Sequence, residues 1–177
     1  MKQSERQDPA GLTIRPMTAG DIDPVLELEQ ASGAAPHWSR EAYESCLGDQ
    51  TGSLGYFSLV AELSGVLAGF AVVRQLRLEA RGASPAENEC ELESIAVRAR
   101  LRHRGIGSRL LQASMATAQA RGAKCLMLEV RESNQAAIGL YLRSGFRSTG
   151  RRPGYYVDPV EDAVLMTFDL EGHHTAM

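Results

Sequence analysis

The chain has 177 residues, of which 44% are hydrophobic and 23% charged, with a formal net charge of -3. That length suits one domain with a core large enough to need no staples. The charge balance gives no general pull toward nucleic acid or a membrane surface, and no apolar run reaches the length of a membrane span.

Residues 1–11 are polar, lack the apolar stretch of a signal peptide and read as a loose arm. Leu12, Ile14 and their polar neighbours alternate as a half-buried strand does, and Pro16 ends it. Thr18 offers a cap for a helix carrying Ile22, Val25, Leu26 and Leu28, with Pro24 in the early turns where proline is least harmful. Ser39 can cap a second helix, with Ala42 as its third residue. Residues 55–63 and 66–76 read as strands joined by Ser64-Gly65, a hairpin turn that accepts positive φ. Residues 79–90 are polar and rich in turn formers and read as a mobile loop.

A strand is expected over 90–97, then a helix over 105–121 with Ile106, Leu110, Leu111, Met115 and Ala118 on one face and Gly122 as its stop. An apolar central strand follows over 125–130. Asn134 caps a helix to Ser144, which Gly145 ends. Strands near 146–157 and 163–170 complete a domain over 12–170, leaving 171–177 as a tail. This order predicts an α/β (α+β) fold, a mixed central sheet with helices on its faces.

Cys46, Cys90 and Cys125 form no paired framework and read as reduced thiols of a cytoplasmic protein. His37 and His103 are isolated, and His173 and His174 sit in the polar tail. No metal-ligand spacing is present, so no metal is expected.

The first chemical signal is a strand, a basic glycine loop and a helix start. Arg98, Arg100, Arg102 and Arg104 line the loop, and Gly105 and Gly107 allow a tight turn and close approach of a ligand. The first amides of the helix are unpaired at its positive dipole end. Together these features suit a diphosphate. The loop lacks the GK[ST] ending of a Walker motif, and Leu110 replaces the third glycine of a dinucleotide fingerprint.

The second signal is Glu129, an acid within the apolar run Leu126-Met127-Leu128-Val130. Such an acid is costly unless it is paired or lies in a cleft. Tyr141 lies about two helical turns beyond Asn134, so both can face one groove; by the residues alone Tyr141 equally suits packing, and Glu129 equally suits pairing with Arg131 or another cation. Glu91 and Glu93 are two apart on the preceding strand, face one side and offer a rival base. Tyr155-Tyr156 suits the gripping of a short peptide backbone, and equally suits packing.

Arg102-x-x-Gly105-x-Gly107 matches the (Q/R)-x-x-G-x-(G/A) loop of the GNAT superfamily of acetyltransferases. The run from Leu128-Glu129-Val130-Arg131 through Ser133-Asn134 and Leu140-Tyr141 to Gly145-Phe146 resembles the RimI-type ribosomal-protein-alanine N-acetyltransferases. So do Arg151-Arg152, Tyr155-Tyr156, Glu161-Asp162-Ala163 and His37-Trp38-Ser39. The resemblance spans roughly residues 12–170.

It implies an acetyl-CoA-dependent N-acetyltransferase of GNAT fold, acting on the N-terminal α-amine of a ribosomal protein; a monomer or weak dimer is expected by default, and the charge balance gives no expectation of nucleic-acid or membrane partners. The resemblance implies Glu129 as general base and Tyr141 as general acid. Acetyl-CoA would be held by Ile95, Ala96, Val97, Arg102, His103, Arg104, Gly105, Ile106, Gly107, Ser108 and Asn134. The 79–90 loop looks longer than usual, and Arg98-Ala99-Arg100-Leu101 replaces a more acidic, aromatic approach. Both departures bear on the substrate side. A small-amine acetyltransferase and a non-catalytic CoA-binding sensor remain alternatives.

Overall fold

The computed structural model describes residues 9, 11–32, 38–48, 55–78 and 87–172. Most of the N-terminal arm, His37, residues 79–86 of the expected loop and tail residues 173–177 lie outside them. The strands are β1 (Leu12–Pro16), β2 (Tyr56–Leu63), β3 (Val66–Leu78), β4 (Glu87–Val97), β5 (Cys125–Arg131), β6 (Arg147–Val157) and β7 (Val160–Asp169). The helices are α1 (Ile22–Ser32), α2 (Arg40–Gly48), α3 (Ile106–Ala120) and α4 (Gln135–Arg143), with short 3-10 turns at Ala19–Asp21 and Ala99–Leu101.

All seven strands form one sheet in the order β1-β2-β3-β4-β5-β7-β6, with β4 and β5 the parallel pair and the other neighbours antiparallel. The expected mixed sheet is present. Alternate residues of β3 split between two cores, because successive side chains of a strand point to opposite faces. Ala71 and Val73 pack with Leu110, Leu111, Leu126, Leu128 and Tyr141 under α3 and α4. Phe70 and Val72 pack with Ile22, Val25, Leu28 and Tyr43 under α1 and α2.

Local signals hold at most boundaries. Ser64 and Gly65 carry φ of 51° and 80° in the β2–β3 turn. Gly122 and Gly145 take φ of 79° and 95° just past the ends of α3 and α4. Ser39 Oγ accepts from the Ala42 amide at 3.2 Å, as a cap does. At Thr18 the cap works in reverse, and the Asp21 carboxylate accepts from the Thr18 amide and hydroxyl, both at 2.8 Å. The first turn there is 3-10, and α1 begins at Ile22.

Two expectations need correction. Residues 87–90, read as part of a loop, are strand, because Glu87 to Cys90 pair with Leu78 to Gln75 of β3. Pairing across the sheet overrides their polar composition. β7 also begins at Val160, three residues early, where it meets Val157 to close its hairpin with β6.

Candidate active site

The parallel pair parts early. β4 and β5 are in register only at Glu89↔Cys125, Cys90↔Leu126 and Glu91↔Met127. Beyond Glu91 both strands continue, β4 to Val97 and β5 to Arg131, so a wedge opens between two backbone edges. A bulge adds to it. Val72 faces Ser94 and Val73 faces Leu92, leaving Glu93 as the extra residue of β4.

One end of the wedge leads to the start of α3. The Arg98 amide donates to Ala68 O at 2.9 Å and its Nε to Leu67 O at 2.6 Å, which ties the loop to β3. Arg102 Nε donates to Val97 O at 3.2 Å. His103 and Gly105 take φ of 63° and 80°, the left-handed conformation that turns the chain into the helix. The first helical bond runs from the Arg109 amide to Gly105 O at 3.0 Å. The amides of Ile106, Gly107 and Ser108 therefore have no partner within the helix.

A Cβ at Gly105 would meet no atom within 4 Å, and one at Gly107 would meet only Leu140 and Val97 at ordinary contact distances of 3.5 and 3.7 Å. The fold itself leaves space here, and the glycines keep that space open to a ligand. Among the described residues no carboxylate pairs with the exposed Arg102, His103 or Arg104. Free cations, open amides and a helix dipole fit the diphosphate of a coenzyme. Ile106 contributes its amide alone, since its side chain is buried. Asn134 uses its Oδ1 to cap α4, accepting from the Ala137 amide at 3.2 Å.

Glu129 lies on β5 between the buried Leu128 and Val130, so it faces the α1/α2 side. Its side chain is 16% exposed, and Arg152 Nη1 stands 3.1 Å from its Oε1. The neighbouring Arg131 is engaged elsewhere, 2.6 Å from Glu161 and 4.1 Å from the Tyr156 ring centre. Glu91 and Glu93 share Arg74, whose Nη2 and Nε lie 2.6 and 2.7 Å from them. Glu93 is pushed above the ordinary carboxyl range, first by burial and further by the charges of Glu91 and Glu129, against the pull of Arg74. The Tyr155 phenol is raised first by its hydrogen bond to Glu129, and Tyr156 first by burial.

Tyr141 lies on the opposite side. It is buried in the α3/α4 core, 5.7 Å ring to ring from Phe146. Burial holds its phenol well above the usual range, and the nearby Tyr156 adds to this, so it stays protonated at physiological pH. Glu129 and Tyr141 thus lie on opposite faces of the sheet.

Sequence reasoning missed Arg74, Arg152 and Tyr56 as members of this site. A cation in the apolar run Phe70-Ala71-Val72-Val73-Arg74 was a legible signal, since it must find a partner. Tyr56 lies beside Glu93 and hydrogen-bonds Arg74.

A sheet that parts at its one parallel pair, with open helix-start amides at one end of the gap, suits an acyl-transfer enzyme. A model of the acetyltransferase (GNAT) family matches residues 23–146, and the chain belongs to that family. It is an N-acetyltransferase with acetyl-CoA as its acetyl donor. It is 31% identical to the [ribosomal protein bS18]-alanine N-acetyltransferase of Escherichia coli K12 over 160 residues, 89% of this chain and 97% of that one. The crystal structure of the ribosomal-protein-S18-alanine N-acetyltransferase from Escherichia coli superposes with a TM-score of 0.73 at 29% identity, covering 94% of this chain and 98% of that one. Ard1 from Thermoplasma volcanium gives a TM-score of 0.72 at 26% identity, covering 90% and 98%.

No helix among the described residues is long and apolar enough to cross a membrane. Among the same residues no group of three or more His, Cys, Asp or Glu gathers to hold a metal. The three cysteines are free.

Proposed function

We propose that this enzyme acetylates the N-terminal α-amine of a ribosomal protein in the cytoplasm, by direct attack of the amine on acetyl-CoA within a ternary complex. The single catalytic domain spans 12–170 and acts as a monomer or weak dimer. The observation that carries the reading is the near full-length likeness to the bS18-alanine acetyltransferase of Escherichia coli.

The thioester is already activated, so no covalent enzyme intermediate is needed. The main demand is to hold two reactants together, which removes much of the entropic barrier. The α3 amides of residues 106–108, with Gly105 and with Arg102, His103 and Arg104, hold the diphosphate. The free edge of β4 at Ile95, Ala96 and Val97 pairs with the pantetheine arm and leads the acetyl group into the wedge. Backbone amides there polarise the thioester carbonyl. Asn134 borders the same groove.

The amine approaches from the α1/α2 side, flanked by Tyr155 and Tyr156. Glu129 takes the ammonium proton, directly or through water, and the freed nitrogen bonds to the acetyl carbon. The carbon–sulfur bond breaks on the other side, where Tyr141 donates a hydrogen bond or proton to the departing thiolate. An α-amine titrates near ~8 and a lysine near ~10.4, so near pH 7.5 about a quarter of α-amines are neutral, against about one lysine in a thousand. A carboxylate base is adequate for the former.

Glu93 is the alternative base, favoured by its raised proton affinity and its place on the β4 bulge. Glu129 ranks first because the RimI-like segment surrounds it.

A thiol-release assay with acetyl-CoA, comparing short N-terminal peptides with polyamines, amino acids and aminoglycosides, tests the acceptor class. Peptides beginning with alanine, serine or methionine are expected to give the highest kcat/KM. A wide margin in favour of small amines would overturn the ribosomal assignment, and tight CoA binding without thiol release for any amine would favour the sensor.

A further inference from the structure

Arg152 and Tyr155 are three residues apart on β6, so in a regular strand they would point to opposite faces. Here both reach one carboxylate. The β6–β7 register slips between Arg152↔Ala163 and Tyr156↔Glu161, so β6 holds two more residues than its partner across that stretch. Gly154 takes φ of 59° within it, and its amide donates to Asp162 Oδ1 at 2.9 Å. The distortion turns Arg152 and Tyr155 to the same side. The guanidinium lies 3.1 Å from Glu129 Oε1, the Tyr155 phenol is close enough to the same carboxylate to be raised by it, and the Tyr155 ring lies 5.4 Å from the guanidinium carbon.

The two partners of this ion pair are unequally held. Glu129 is fixed on a central strand with its side chain 16% exposed, whereas Arg152 sits on the edge strand with 54% exposed. Among the described residues it is the one cation in ion-pair range of Glu129, because Arg131 is held by Glu161 and Arg74 by Glu91 and Glu93. An ammonium group that arrives at Glu129 meets a site already filled by a positive charge on an aromatic face, which is the chemistry of the ammonium itself.

We infer that Arg152 is a resident stand-in for the acceptor's ammonium on Glu129, and that it sets acceptor affinity because the incoming amine must displace it. On exchange, one cation replaces another beside Glu129, so the carboxylate is never left unpaired. Arg152 rotates outward to solvent from its exposed edge. Tyr155 stays and offers the arriving cation its ring and the carboxylate its hydroxyl. This inference rests on the reading of Glu129 as the group that meets the amine.

Steady-state kinetics of Arg152→Ala and Arg152→Lys test it, with whichever amine the wild-type enzyme acetylates fastest. The expected result for Arg152→Ala is a rise of about two- to five-fold in acceptor kcat/KM, carried by KM, the range a half-exposed ion pair allows. Arg152→Lys restores most of the wild-type KM, since a lysine cation competes as well. A higher acceptor KM in Arg152→Ala would mean that the guanidinium grips the substrate, and would overturn the inference. So would a KM that stays put in both variants. A wrong acceptor class would show in the wild-type substrate panel and leave this comparison intact. If Glu129→Gln retains full turnover while Arg152→Ala behaves as stated, the base assignment fails and the competition for Glu129 stands.

Discussion

Glu129 and Tyr141 stand on opposite faces of one sheet, the carboxylate on the α1/α2 side and the phenol buried beneath α3 and α4. Between β4 and β5 the paired register ends at Glu91↔Met127. In the proposed mechanism Glu129 is the base and Tyr141 the acid. Glu129→Gln should therefore lower kcat by about 10²- to 10⁴-fold while leaving the acetyl-CoA KM close to wild type. Glu93→Gln measured beside it decides the rival, and an equal loss in Glu93→Gln with none in Glu129→Gln moves the base to the β4 bulge.

Tyr141→Phe should keep the packing against Phe146 and remove only the hydroxyl. Its melting temperature is expected to stay near wild type while kcat falls about ten- to a hundred-fold, since one proton donor is lost. The deficit should shrink with acyl donors whose thiol is more acidic, because a better leaving group needs less help. A loss that ignores the leaving group would make Tyr141 a packing residue.

Much of this site was legible because it is local. Gly105, Gly122 and Gly145 mark helix ends, and each takes positive φ for reasons set within a few residues. The Arg102–Gly107 loop and the acid inside β5 are likewise short-range signals. What was hidden depends on pairing. Glu87-Asn88-Glu89 has the composition of a loop and becomes strand only because β3 runs on to Leu78. The partner of Glu129 is Arg152, which reaches it only through a register slip between β6 and β7, and β7 inserts between β5 and β6 in the sheet. No local pattern encodes either fact.

Gly69 is a position that sequence reasoning passed over. A Cβ there would stand 2.7 Å from Ala96 O and 3.0 Å from Leu110 Cδ1, so β3 and β4 must shift and the Leu110 side chain must give to admit it. Gly69→Ala is expected to cost about 1–3 kcal/mol of stability by overpacking. Because Ala96 lies on the strand that borders the wedge, the acetyl-CoA KM should rise as well. Chemical denaturation and steady-state kinetics check the two effects, and an unchanged denaturation midpoint would show that the strands give way freely.

Asp21 ties the start of α1 to β1. Arg15 donates to both of its oxygens, at 2.7 and 2.8 Å, and Thr18 adds two further bonds. The hydrogen bond to Arg15 is the largest cause that brings its carboxyl down to about 2. A folded-state value below the unfolded one gives stability that is fully present above about pH 4 and fades as pH falls toward 2. After allowance for the part-exposed Arg15 the contribution is on the order of 1–2 kcal/mol. Asp21→Asn should lower the melting temperature at pH 7 and flatten its fall between pH 4 and 2. A melting curve that keeps the same acid limb in the variant would assign that limb to other carboxylates.

The α3 cradle makes stability and ligand affinity respond with opposite sign. Ser108 lies in the first turn of α3, where an acid is favourable to the helix because the amide dipoles point their positive ends at it. The same acid would face the coenzyme diphosphate across the open amides of residues 106–108. Ser108→Asp is therefore expected to hold or slightly raise the melting temperature of the ligand-free enzyme while weakening acetyl-CoA binding by about tenfold or more, by like-charge repulsion and competition for those amides. Calorimetric titration with CoA, run beside thermal melting, reads both. A variant that melts lower would mean the helix start is already strained. Undiminished CoA binding would remove the diphosphate from this end of the helix, and with it the direction in which the acetyl group is led to Glu129.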